Sequence, residues 1–222
     1  MAIFYKGILF LALSAFLGEG VELLVNLILA KELGKHGLGL YMSILPSIYL
    51  LVLLSSFELP VSISKFVAEK EEKLHRNILY HAITITIIFT CILFVFATVL
   101  MPFISVFNGY HPYTRWLIIL LVPVISFTSV ARGYFMGRHQ MGKIAIANFL
   151  RKSIQLVLLF LLFRFFEFDS ETAVLIAIAS FIGSEIAVFL YLCYMLISQF
   201  QQLKRMPFSN INRKAVRKNL VA

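Results

Sequence analysis

From Ile8 to Ala30 the chain runs for twenty-three residues with only two charged side chains, Glu19 and Glu22. At about 1.5 Å of rise per residue, a helix of that length crosses a hydrocarbon layer of roughly 30 Å. In lipid every backbone polar group must be bonded within the segment, so the run has to be a helix. The two glutamates and Asn26 are spaced i, i+3, i+7, which at about 100° per residue gathers them on one narrow face. Ala12, Ala15 and Ala30 share that face, so a small and polar stripe runs along a Leu/Ile/Val helix. A charge at the bilayer centre costs at least ~2.5 kcal/mol, so the stripe must face protein or a water-filled cavity. Interhelical hydrogen bonding is one account of it. Two ionisable groups are more than such bonding needs, which favours the wall of a pathway.

Five more apolar runs follow, and the six spans are expected near residues 8–30, 39–60, 80–104, 116–136, 144–165 and 172–198. The fold class is therefore all-α: a polytopic membrane protein with a six-helix transmembrane lobe over residues 1–200. Residues 201–222 form a basic tail. With 60% hydrophobic residues, 14% charged and a mean hydropathy of +0.91, no soluble domain of 222 residues reads this way. The start, with Lys6 ahead of an apolar core and Ala12-Leu13-Ser14-Ala15, has the outline of a signal peptide. The apolar pattern continues unbroken to Ala30, however, and is read as a retained first span.

The formal charge of +9 invites a nucleic-acid partner, but the cations lie between spans rather than on one basic face. With the N-terminus inside, the inner segments hold sixteen Lys and Arg and the outer segments four: Lys31, Lys35, Arg115 and Arg164. This asymmetry places both termini in the cytoplasm of a cell membrane. Tyr5, Tyr80, Tyr134 and Tyr194 would mark the inner interface, and Tyr41, Tyr110, Tyr113 and Trp116 the outer one. The glycines of residues 31–39 suit a tight helix–helix turn. Past Pro60 a helix is expected to continue over Ser62–Arg76, with Lys65/Glu69 and Glu72/Arg76 at i, i+4.

No enzyme motif is present: neither HExxH, GxSxG nor a Walker loop. Cys91 and Cys193 lie in apolar runs without ligand spacing, and the five histidines fall scattered in or beside loops. No metal site and no cofactor is expected. The fifth span repeats the spacing of the first, with Asn148, Arg151 and Gln155 at i, i+3, i+7 and Lys152 alongside. Lys152 is expected to snorkel to the cytoplasmic surface. Arg151 has either that fate or a cavity position, and from there it reaches toward Glu19. Glu185, after Gly183-Ser184 in the sixth span, is a third buried carboxylate, with structural and functional roles equally open. Glu58, beside Pro60, lies toward the inner side within reach of water.

Two stretches carry a family likeness. Phe57-Glu58-Leu59-Pro60-Val61-Ser62-Ile63-Ser64-Lys65-Phe66-Val67-Ala68-Glu69 resembles the "LPVAISKLVAE" end of helix 2 in the stage V sporulation protein B family. Arg132-Gly133-Tyr134-Phe135-Met136-Gly137, followed by Met141, resembles its "RGYFQG…M" connection between helices 4 and 5. Gly37-Leu38-Gly39-Leu40-Tyr41-Met42 fits its helix 1–2 turn, and the likeness is closest to sporulation-associated paralogues of the YkvU type. These belong to the multidrug/oligosaccharidyl-lipid/polysaccharide flippase superfamily, with the lipid II flippase and the MATE exporters.

The resemblance implies alternating access by two bundles of six helices around a central cavity, of which this chain supplies one. The partners it implies are membrane lipid, a lipid-linked sugar, and a second six-helix lobe from a separate chain or a second copy. The polar residues read above from their spacing, Glu19, Glu22, Asn26, Asn148, Arg151, Gln155 and Glu185, are the candidates to line or couple that cavity. Flippases of this kind put basic residues on helix 1, whereas here that helix is acidic. That departure leaves a cation-coupled exporter of small cationic compounds as the alternative, with a non-transporting assembly protein as a third.

Overall fold

The computed structural model describes residues 2–101, 109–166 and 168–204. The remainder of the expected basic tail, Asn108 of the third connection and Glu167 of the fifth lie outside the described residues. The elements are α1 (Ala2–Ser56), α2 (Leu59–Glu69), a single 3₁₀ turn (Glu72–Leu74), α3 (His75–Leu100), α4 (Tyr113–Gly137), α5 (Met141–Phe165) and α6 (Ser170–Lys204). Among the described residues, five helices are long and apolar enough to cross a membrane. The first of these carries the two spans expected at 8–30 and 39–60.

At 55 residues α1 is far longer than one crossing needs, and it breaks at Gly34, where φ is 63° and ψ is −174°. A side chain there would strain the backbone, so glycine permits a reversal within one residue. The connection expected over residues 31–39 is thus helical apart from Gly34. Gly37 serves packing instead: its Cα sits against Leu33 and Val174, leaving about 3.2 Å between an added Cβ and the Leu33 Cβ.

The second break, at Phe57 (φ 40°) and Glu58 (φ 54°), precedes Pro60 in the first turn of α2. Proline at that position lacks only a donor that the helix start leaves unpaired anyway. The helix expected to run on to Arg76 stops at Glu69. Lys70 turns extended (φ −108°, ψ 152°), and its carbonyl oxygen lies 3.1 Å from His75 Nε2. His75 is a buried histidine packed edge-on against Tyr134.

Two clusters form the core. Around Val25, Leu29, Ile44, Ile48, Ile118, Leu121, Ile178 and Ile182, the two limbs of α1 pack on α4 and α6. Toward the Arg138 end, Ile63, Val67, Leu79, Tyr134, Phe135, Val188 and Leu192 form the second. There α2 lies directly on α4: an added Cβ at Gly133 would fall 2.9 Å from Pro60 Cα, and one at Gly137 2.6 Å from the Ser64 carbonyl oxygen. Four residues apart, the two glycines form a small-xxx-small contact that lets the backbones meet. The two stretches that carried the family likeness are thus each other's packing partners. Arg138 then ties this end to the 3₁₀ turn, with its guanidinium 2.5 Å from Glu72 Oε1 and 3.1 Å from the Tyr134 hydroxyl.

Of the expected interfacial aromatics, Tyr80, Tyr113, Trp116 and Tyr194 are exposed. Tyr41 and Tyr134 are instead buried in the two cores. Tyr110, half-buried, donates its hydroxyl to the Leu40 carbonyl at 2.7 Å and so holds the start of α4 to the second limb of α1.

Candidate functional site

The polar stripe meets α5 midway along that helix and midway along the first limb of α1, before Gly34. Lys152 Nζ lies 2.7 Å from Glu19 Oε1 and 2.6 Å from Glu22 Oε2, so one ammonium is shared by two carboxylates a helical turn apart. Distances this short mark charge-assisted hydrogen bonds. The three side chains differ sharply in surroundings. The lysine is 11% exposed, whereas Glu19 is 72% and Glu22 44% exposed. Lys152 thus runs outward from the bundle and presents its charge to acids standing on an open face.

Gly18 is what makes this path available. A Cβ at Gly18 would lie 3.2 Å from Lys152 Cδ and 3.7 Å from Cε and Nζ, so the lysine stem crosses α1 where that helix has no side chain. Lys152, expected to snorkel, is paired with the two acids of α1. A neighbouring helix offers it two carboxylates, and snorkelling to water offers none as close.

Arg151, expected to reach toward Glu19, goes to α6 instead. Its Nε lies 3.7 Å from Glu185 Oε1, too far for a hydrogen bond but within ion-pair range. The preceding residue on α5 points to a different neighbour because adjacent helical positions are about 100° apart. Glu185 is 6% exposed, and its Oε2 is buried without a hydrogen-bond partner. The Arg132 guanidinium of α4 also attracts Glu185, and Arg132 Nε is likewise buried and unpartnered. Together Glu19, Glu22 and Glu185 face Lys152, Arg151 and Arg132: three acids against three bases across four helices.

The remaining expected residues sit around these pairs. Asn26 is exposed on the same stripe, Asn148 is half-buried one turn from Arg151, and Gln155 is buried beside the α5 core. Two participants were not anticipated from sequence. Gly18 carries no polar signal, and its proximity to Glu19 was the only hint. Arg132 was counted among the inner cations, although it falls on the span side of Gly133. Among the described residues no group of three or more His, Cys, Asp or Glu gathers as a metal site would require.

Comparison with known proteins gives a consistent set of relatives. Residues 4–222 match the family model described as "Polysaccharide biosynthesis protein". The chain is 49% identical over 219 residues to "Sporulation protein YkvU" of Bacillus subtilis (strain 168), covering 99% of this chain and 49% of that protein. It is 32% identical over 197 residues to "Stage V sporulation protein B" of the same organism, covering 85% of this chain and 38% of that protein. The chain thus spans half or less of the curated relatives it matches.

In fold it is similar to a MATE mutant crystal structure, with a TM-score of 0.64, 22% identity and coverage of 94% of this chain and 48% of that one. It is also similar to a MOP superfamily transporter from Pyrococcus furiosus, described by the reversed polarity of its binding pocket. There the TM-score is 0.61 at 19% identity, covering 95% of this chain and 47% of that one.

Proposed function

The chain belongs to the polysaccharide biosynthesis protein family, and from that membership we propose that it is the N-terminal lobe of a flippase-type membrane transporter. Its cargo would be lipid-linked polysaccharide precursors of the cell envelope or spore wall. The observation that carries this is the Lys152 ammonium held by Glu19 and Glu22 on an otherwise open helix face. A face with ionised groups midway along an apolar helix needs water or a second protein surface in front of it. A second lobe, from another chain or a second copy, supplies that surface in this proposal, and the cavity between the lobes opens alternately to each side. The lobe lies in the cell membrane with both termini cytoplasmic, in keeping with the sixteen-to-four distribution of cations. Glu19, Glu22, Asn26, Asn148, Arg151 and Gln155 serve the cavity, and Glu185 holds Arg151 in place behind it.

The same carboxylates could instead couple export of small cationic compounds to a cation. Their occupation by a lysine favours the flippase account, because the acids are already neutralised in part. The deciding experiment reconstitutes the chain with a complementary lobe in proteoliposomes. Translocation of a lipid-linked oligosaccharide is followed by the accessibility of its sugar to an impermeant hydrolase, alongside efflux of a small cationic dye. Lipid-linked sugar movement that needs both lobes is expected. Dye efflux without it would overturn the assignment in favour of the exporter. For orientation, a cysteine at Ser170 should react with an impermeant maleimide from outside and one at Gly142 should not.

A further inference from the structure

Two carboxylates one helical turn apart, both aimed at one point, form the kind of position where a small cation sits. Here the point is occupied by Lys152 Nζ, 2.7 and 2.6 Å from the nearest oxygen of each acid. The occupant is covalently tethered, and its stem is fixed by the lane over Gly18. A tether raises the effective concentration of its charge at the site to the millimolar range or above, in competition with any free ion. It also supplies three donors and a full positive charge, which is what a dicarboxylate attracts.

We infer that Lys152 is a built-in counter-ion. It fills the Glu19/Glu22 dicarboxylate in place of a free ion, so the intact chain takes no alkali cation there. Removing the ammonium opens a site for a small monovalent cation, with a primary amine as the best-matched ligand. The assignment rests on the reading of this stripe as a functional face, and it gives that face its ionic character: internally compensated rather than ion-loaded.

The test uses the full chain purified in detergent. Its unfolding temperature is measured in sodium, methylammonium or choline chloride at matched ionic strength, so that general screening is equal. The wild-type chain should respond alike to all three. Lys152→Ala should be stabilised saturably by methylammonium and more weakly by sodium, but not by bulky choline. The response should vanish in the double variant Lys152→Ala with Glu19→Gln.

Gly18→Val provides a second route that keeps the lysine, since its side chain fills the lane and displaces the stem. It should show the same cation response if Lys152→Ala does not insert. Saturable sodium stabilisation of the wild-type chain would overturn the inference, and so would folded Lys152→Ala or Gly18→Val chains indifferent to methylammonium. Because these measurements need no transport, their failure is separable from failure of the flippase assignment, which is read from sugar translocation in the two-lobed assembly.

Discussion

Glu19 and Glu185 are both carboxylates at mid-helix, and both answer to a cation on α5, yet their situations are opposite. Glu19 is 72% exposed and sits 2.7 Å from Lys152, with Glu22 sharing the same ammonium. Glu185 is 7% exposed in its side chain, 3.7 Å from Arg151, with one oxygen unpartnered. The short, well-made contact is on the open face, and the long one is in the packed interior. A buried ion pair with imperfect geometry recovers little of its desolvation cost, so Glu185 is held there by its surroundings rather than by its partner. An acid on a face that meets water keeps its hydration and needs no partner to be tolerated. On the proposed function, the close Lys152 contacts serve that face, whereas Glu185 supports Arg151 from behind it.

Breaking the interior pair should produce the largest effect. Arg151→Met leaves the Glu185 carboxylate buried with only Arg132 nearby, and uncompensated charges of this kind cost roughly 3–5 kcal/mol. The expected outcome is a strong fall in unfolding temperature and in membrane-inserted yield. The double change Arg151→Met with Glu185→Leu should recover only part of the loss, because it strips Arg132 of its acid; adding Arg132→Met should recover most of it, because buried charges replaced by apolar side chains are often neutral. A single variant as stable as the parent would place Glu185 in contact with water and erase the contrast between the two acids.

Lys152→Met comes next. The stem is kept in apolar form over Gly18, and only the charge is removed. With Glu19 and Glu22 open to water, the remaining repulsion between two solvated carboxylates is expected to cost about 1 kcal/mol. If the face were turned to lipid instead, two unneutralised charges would cost at least ~2.5 kcal/mol each and insertion would fail. Unfolding temperature and inserted yield together therefore tell whether this face meets an aqueous cavity.

The sequence carried the spans and the stripes, because apolar length and i, i+3, i+7 spacing are one-dimensional quantities. It did not carry the partners. Arg151 and Lys152 are adjacent, and which of them meets α1 depends on the rotation of α5 about its own axis, set by packing that involves Ala145, Ala147 and Leu159. The path of Lys152 to the acids of α1 depends on Gly18, a residue whose contribution is the absence of a side chain. The first reversal falls inside the expected connection, but which glycine makes it was not legible for a related reason. Three glycines fall in residues 31–39, and only Gly34 takes the positive φ that breaks the helix. The stretches Leu59–Glu69 and Arg132–Gly137 were legible as motifs, but their meeting at Gly133 and Gly137 is a tertiary fact.

The smallest effect on stability should come from Glu19→Gln, and its size sharpens the comparison most. Glu19 is the more exposed of the two acids on Lys152, and exposed ion pairs contribute about 0–1 kcal/mol. The glutamine carbonyl can still accept a hydrogen bond from the ammonium, and Glu22, at 2.6 Å, keeps it charge-paired. Folding should therefore be nearly unchanged, with a shift in unfolding temperature close to experimental error. Transport in the two-lobed assembly is a separate readout. If the Lys152 pairing only cements α1 to α5, transport should follow the unchanged stability. If movement of the lysine between partners is part of the cycle, weakening one partner should alter translocation while leaving expression and unfolding at parental values. Matching the two measurements in one variant decides between cement and switch, and parental translocation in both Glu19→Gln and Glu22→Gln would return the stripe to a structural role.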